Sequence, residues 1–309
     1  MGFKVDSFMR TRISICLILL GFVFYGNAQG CSDAGFCTLE GLMPQLHKPG
    51  KNLKNQIKLG GFYGSADNNI SVYGNYVEYG HRLNSKLSFN AKLNALGQSG
   101  NDITVFGLAD IFLTANYQTS DNLKLILGAK FPLMAANRSF DELPLPMDYQ
   151  SSLGTSDLIF GLSYQIKKLQ ITAAIQQALT QNSNQFLSSN YPESSELASI
   201  QSSRDFQRAG DILSRLSYPL QLKPKLKFTP GLLAIYHLAN DRYTNALDQV
   251  LEIENSQGLT LNANLYLDYK LSAISWLQLN AGFPFLVREA RPDGLTRSMI
   301  ANLEYRISF

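Results

Sequence analysis

With 309 residues, 17% of them charged, and a formal net charge of +3, the chain lacks both the basic field of a nucleic-acid binder and the charge density of an ordinary soluble surface. Three of the 27 basic and one of the 24 acidic residues fall in the first 28 positions, leaving 24 against 23 for everything after them. Mean hydropathy is −0.08, because Asn, Gln, Ser and Tyr stand where Lys and Glu usually would.

Residues 1–28 have the layout of a secretory signal. A basic segment ends at Arg10-Thr-Arg12, an uncharged apolar run extends from Ile13 to Tyr25, and Gly26 and Ala28 occupy −3 and −1 of a cleavage site. The run is short for a bilayer span. An uncleaved anchor is one alternative. A lipoprotein acylated at Cys31 is another, although Ala28-Gln29-Gly30-Cys31 lacks the usual Leu at −3. In an exported chain, Cys31 and Cys37 favour a small disulfide loop. No second apolar stretch approaches the length of a membrane helix, so an exported chain that enters a membrane does so as a closed barrel.

Residues 29–54 show little alternation and contain Met43-Pro44 and Pro49-Gly50, which reads as a periplasmic arm or a plug in the barrel mouth. From Gln56 onward apolar and polar residues alternate with period two, the pattern of strands with one greasy and one polar face. Strands are predicted at Gln56–Gly64, Ser71–Gly80, Lys86–Leu96, Ile103–Gln118, Leu123–Pro132 and Ser156–Ile166. Six more follow at Leu169–Leu179, Gly210–Leu220, Lys225–Leu238, Gly258–Lys270, Trp276–Phe285 and Thr296–Phe309. The stretch 97–102 reads as a loop, and Tyr191-Pro192-Glu193 within the long connection 180–209 reads as a helix start. Connections after even strands are short and most of those after odd strands are long, which is the layout of periplasmic turns and extracellular loops. The predicted fold class is all-β: a transmembrane antiparallel β-barrel of about twelve strands spanning 55–309, with both termini periplasmic.

The segment 123–179 resembles the outer-membrane family named for the meta-pathway of phenol degradation, which is related to the long-chain fatty-acid transporters. The resemblance rests on Leu127-Gly-Ala-Lys-Phe-Pro132, on Gln150-Ser-Ser-Leu-Gly-Thr-Ser-Asp157, and on Leu158-Ile-Phe-Gly-Leu-Ser-Tyr164. Gly-Thr-Ser stands here where Gly-Thr-Gly-Ser is usual, and the Gly after Pro132 is missing. The resemblance implies transport of small hydrophobic compounds and carries no site residue with it.

If the leucine-rich parity faces lipid, the other lines the interior. It holds Lys58, Glu78, Lys92, Asp110, Lys124, Lys130, Asp157, Arg215, Lys227, Asp268, Glu304 and Arg306, signs that nearly balance. The same parity is read to hold Phe62, Tyr76, Phe106, Leu108, Phe112, Ile126, Leu233, Ile235 and Tyr266, either packing against a plug or forming a greasy solute path. Pro132, Pro230 and Pro284 each delete a ladder hydrogen bond, so one of them is a candidate lateral gap and the others rim punctuation.

An enzyme is not expected. His47, His81 and His237 stand in no acid pair, Cys–His pair, phosphate loop or metal cluster, and no cofactor is expected. The functional expectation is an outer-membrane channel for small hydrophobic or weakly polar solutes in a Gram-negative envelope. A non-conducting barrel that binds a surface partner through its loops is the alternative. Expected partners are outer-membrane lipid, the solute, and the barrel-assembly machinery, the last through a closing strand that ends on Phe309.

Overall fold

Alternation of apolar and polar residues forces each strand to turn one face to hydrocarbon and one inward, and the chain satisfies both by closing on itself. The computed structural model describes residues 30–31, 39–44, 53–293, 296–297 and 299–309. The signal segment, His47, and Cys37 with its disulfide reading lie outside the described residues.

Twelve antiparallel strands form the wall: β1 (Asn55–Ser65), β2 (Ser71–Arg82), β3 (Leu87–Gly100), β4 (Ile103–Gln118), β5 (Leu123–Pro132) and β6 (Asp157–Ile166). Then come β7 (Leu169–Ala178), β8 (Asp211–Ser217, resumed at Leu220–Lys223), β9 (Leu226–His237), β10 (Gly258–Lys270), β11 (Ser275–Leu286) and β12 (Met299–Ser308). Each pairs with its sequence neighbours, and β12 pairs with β1 to close the ring. Pairing of β12 continues through Phe309, which exchanges two backbone hydrogen bonds with Asn55 of 2.8 and 2.9 Å.

All twelve predicted strands are present, with three local differences. The stretch 97–102 is not a loop: β3 and β4 pair up to Gly100 and Ile103. Asn101 and Asp102 turn the hairpin with φ of 52° and 60°, as a twist-matched two-residue turn requires. The helix expected near Pro192 is instead a single 3₁₀ turn at Glu196–Ser199, its Leu197 N–H held by the Ser195 hydroxyl. The third difference is a bulge in β4 opposite Asn94, between the pairs Leu93–Ile111 and Ala95–Leu108. Because a bulge reverses parity, Phe106 and Leu108 point outward rather than into the lumen, each about half exposed.

Leucines occupy the middle of the outer wall, exemplified by Leu113, Leu127, Leu162, Leu232, Leu279 and Leu303. Exposed aromatics cluster at its two ends: Tyr79, Tyr117, Tyr164, Tyr269 and Phe309 at the end of the short turns, and Tyr63, Phe106, Phe131, Tyr236 and Phe285 at the opposite end, which carries the long loops. An apolar band between two aromatic girdles is the surface of a barrel that sits in a bilayer. Strands of 10–16 residues, β8 apart, are long enough to cross it at barrel tilt.

Candidate functional site: the barrel interior

The inward face is organised in three zones. On one side of the lumen, Phe112, Ile126, Ile159, Ala174, Leu213 and Leu233 of β4–β9 form an apolar wall. Leu39 and Leu42 of the segment 39–44 pack against it, both buried. Gly41 is required where the segment runs closest to the wall, since a Cβ there would overlap Asn116 and Ile126. Gly161 similarly leaves room for the Leu42 side chain. Polar contacts fix the segment: Arg215 Nη1 donates to the Leu42 carbonyl at 2.6 Å, Gln170 Nε2 to the Met43 carbonyl at 3.3 Å, and Glu40 pairs with Lys58.

A second zone holds the charges of β1, β2, β10 and β12. Lys58 lies 3.3 Å from Glu78, Arg306 donates to Glu304 at 2.8 Å, and the Tyr76 hydroxyl donates to Glu304 at 2.7 Å. Lys92 stands over the Tyr76 ring, 3.9 Å from its centroid. Across the lumen, Lys130 lies 3.0 Å from Asp157, which also accepts from Thr155 and Gln176. Of the twelve charges assigned to the interior, eleven are buried and Lys227 is half-buried. Each of these pairs offsets a desolvation cost that a lone charge would bear uncompensated.

The third zone is the outer mouth, where the long loops fold inward. Leu145, Tyr149, Phe186, Leu197 and Ile200 pack under the rim against Phe62, Val72 and Leu96 of the wall. Beside them, buried His237 joins Asp211 through Nδ1 at 2.7 Å and Asp241 through Nε2 at 2.8 Å. Asp241 also accepts from the Ala209 N–H and faces Arg288, while Arg208 pairs with Asp211 and lies 3.6 Å from Asp293. One buried network thus ties three external loops to the ends of β8 and β9. The two carboxylate partners of His237 are not legible in the sequence, because they become adjacent only after the loops fold.

The predicted solute-path residues therefore separate. Phe112 and Ile126 meet the segment 39–44; Phe62 and Tyr76 belong to the zone under the outer loops; Tyr266 faces Met43, its hydroxyl 3.7 Å from the sulfur. Phe106 lies outside, beside a shallow groove of about 410 Å³ that also touches Tyr63, Tyr73 and Leu303. The three prolines differ as well. Pro132 ends β5, and Pro284 adjoins the register shift between β10 and β11, beyond the last β11–β12 pair at Gly282–Ile300. Pro230 is interior: β9 pairs through it with Leu265 of β10, while on its other side β8 is interrupted at Tyr218-Pro219.

Among the described residues no group of three or more His, Cys, Asp or Glu side chains is arranged to hold a metal ion. These features define an all-β transmembrane barrel of the outer-membrane type. No family model and no curated protein matches the chain. Solved structures that align with it include the NanC porin, at 11% identity and a TM-score of 0.46 over 82% of this chain and 98% of that one. The CymD monoaromatic hydrocarbon channel aligns at 10% identity and 0.44, over 92% and 95%. The toluene transporter TbuX of Ralstonia pickettii aligns at 12% and 0.42, over 83% and 90%.

Proposed function

We propose that the protein is an outer-membrane channel for small hydrophobic or weakly polar solutes, with the N-terminal segment 29–54 acting as a plug that must shift for passage. The observation that carries this reading is the seat of Leu39 and Leu42 on the apolar wall around Phe112, Ile126 and Leu213. A wall that stayed water-filled would expose these side chains, whereas a solute with an apolar body can take the place of the two leucines. The resemblance of 123–179 to the phenol meta-pathway family points the same way.

The interruption of β8 opposite Pro230 is the candidate for a lateral exit, because Pro230 cannot donate a ladder bond there and a single bond, from the Tyr218 N–H to the Pro230 carbonyl at 3.0 Å, spans it. Phe309 serves assembly rather than passage, since its backbone completes the β12–β1 seam. Surface binding through the longest loop is the weaker reading. Phe186, Leu197 and Phe206 of that connection are buried, so its apolar side chains are committed inward.

The deciding experiment compares the mature barrel with a form lacking 29–54 in planar bilayers and in liposome flux. Removal of the segment is expected to raise conductance several-fold. Silence of both forms in both assays, with surface binding retained, would overturn the channel reading.

A further inference from the structure

We infer that the inner wall of β9–β12 is a binding surface for an uncharged solute that carries an apolar body and donates hydrogen bonds, a refinement that rests on the channel reading. The observation is a cluster of buried polar atoms without partners. Asn262 has neither Oδ1 nor Nδ2 hydrogen-bonded, and the same holds for Oδ1 of Asn264, Asn280 and Asn302 and for Oγ1 of Thr229. Thr229 and Asn262 are wholly buried, and Asn302 and Asn264 are 4% and 6% exposed.

Strand register makes these residues one patch. Asn280 stands opposite Asn302 on one side and Tyr266 on the other; Tyr266 in turn stands opposite Thr229. Asn262 and Asn264 continue the inward face of β10 beyond Tyr266. The Asn264 amide leans over Gly282, where a Cβ would meet it at 3.2 Å. A buried polar group without a partner is unfavourable, and native interiors rarely gather several in one place without something that completes them.

The chemistry of the patch selects its ligand. The fully buried atoms without partners are four amide oxygens and one hydroxyl oxygen against one NH₂, so the complement at the buried part of the patch is a group that donates, an O–H or N–H edge. The patch itself carries no charge. The nearest ionic groups have partners of their own, Asp268 accepting from Gln278 at 2.7 Å and Glu304 from Arg306 at 2.8 Å, so a net charge on the solute would gain nothing there. Tyr266 at its centre offers a ring face to an apolar body, and Leu233 lies opposite Asn262. The patch adjoins the segment 39–44 through the Tyr266–Met43 contact, so withdrawal of that segment opens the approach to it.

The test uses the full barrel in detergent micelles with two probes: phenyl glucoside, which has an apolar ring and free hydroxyls, and its fully O-methylated counterpart, which has no donors. Wild type is expected to bind phenyl glucoside at least about five-fold more tightly than the methylated probe. Asn262→Leu and Asn302→Leu each lower the phenyl glucoside affinity about three- to ten-fold and leave the methylated probe unchanged. Both variants exchange an incompletely partnered amide for an apolar group of similar size, so folding is retained, with the melting temperature as the check. Equal affinity for the two probes, or a parallel loss of both in the variants, overturns the inference. Liposome flux of phenyl glucoside separates the two claims. Donor-selective binding without flux removes the channel reading and leaves the patch; flux without donor selectivity removes the patch and leaves the channel.

Discussion

The two ends of the lumen are filled in different ways. Toward the short turns, one short segment is held on an apolar wall by two leucines and three polar contacts. At the outer mouth, four connections fold inward, and a buried network of two arginines, three aspartates and His237 joins three of them, with Arg288 bridging to the Ser256 carbonyl at 2.8 Å. The first arrangement is reversible by design: detaching the segment exposes apolar surface and leaves Lys58 beside Glu78. The second is a closed cluster whose groups share partners, so removing one member unbalances the charge of a buried network. The contrast assigns movement to the segment and rigidity to the mouth.

The largest effect that would break this contrast comes from the mouth. Asp241 takes hydrogen bonds from His237 and the Ala209 N–H and faces Arg288. Asp241→Ala is expected to cost about 3–5 kcal/mol of local stability in the outer loops. Hydrogen exchange should show the loss in 205–211, 238–257 and 287–293, while amides of β1–β6 keep their protection. If the short turns loosen as much as the loops, the two ends are one cooperative unit and the contrast fails.

The next effect belongs to the segment. Leu42→Ala leaves a void against Leu213 and Leu233 and is expected to weaken docking by about 2–4 kcal/mol. Exchange at residues 39–44 should rise accordingly, with the outer loops unaffected. An unchanged exchange rate would mean that the polar contacts, rather than the leucines, hold the segment.

How far the sequence foretold these two ends follows the same division. The wall was legible strand by strand, because a face buried in the barrel and a face turned to lipid impose strict alternation on residues such as Leu158 to Ile166. Alternation fails where one residue is inserted: nothing in Asp102–Ile111 marks the bulge that turns Phe106 outward. The folding-in of the loops was invisible for another reason. Tyr149, Phe186 and Phe206 lie in aperiodic stretches, and only tertiary contact makes them core. The amides of β10–β12 share the inward parity of Asp268 and Glu304; which of their atoms lack partners depends on neighbours from adjoining strands.

The smallest effect sharpens the contrast by pH. Asp148 lies in the inward-folded loop and accepts from Asn68 Nδ2 at 3.3 Å. Burial pushes its carboxyl up to about 6, aided by the charges of Asp67 and Asp293 and opposed by its hydrogen bonds to the backbone and Asn68. A folded-state value above the ordinary carboxylate range of about 4 means that the docked loop holds the proton more tightly than the undocked one. The extra stability is therefore fully present below about pH 4 and is lost as pH rises through about 6. Since Asp148 is partly exposed, the swing is about 1 kcal/mol rather than the full value of the shift. Corrected for intrinsic rates, exchange at Leu145, Met147 and Tyr149 should slow on going from pH 7 to pH 5, whereas residues 39–44 should not respond. Asp148→Asn should hold the loop at its low-pH protection across that range. A pH response that persists in Asp148→Asn would move the titrating group to the mouth's ionic network, and the two halves of the outer mouth would then have to be treated as coupled.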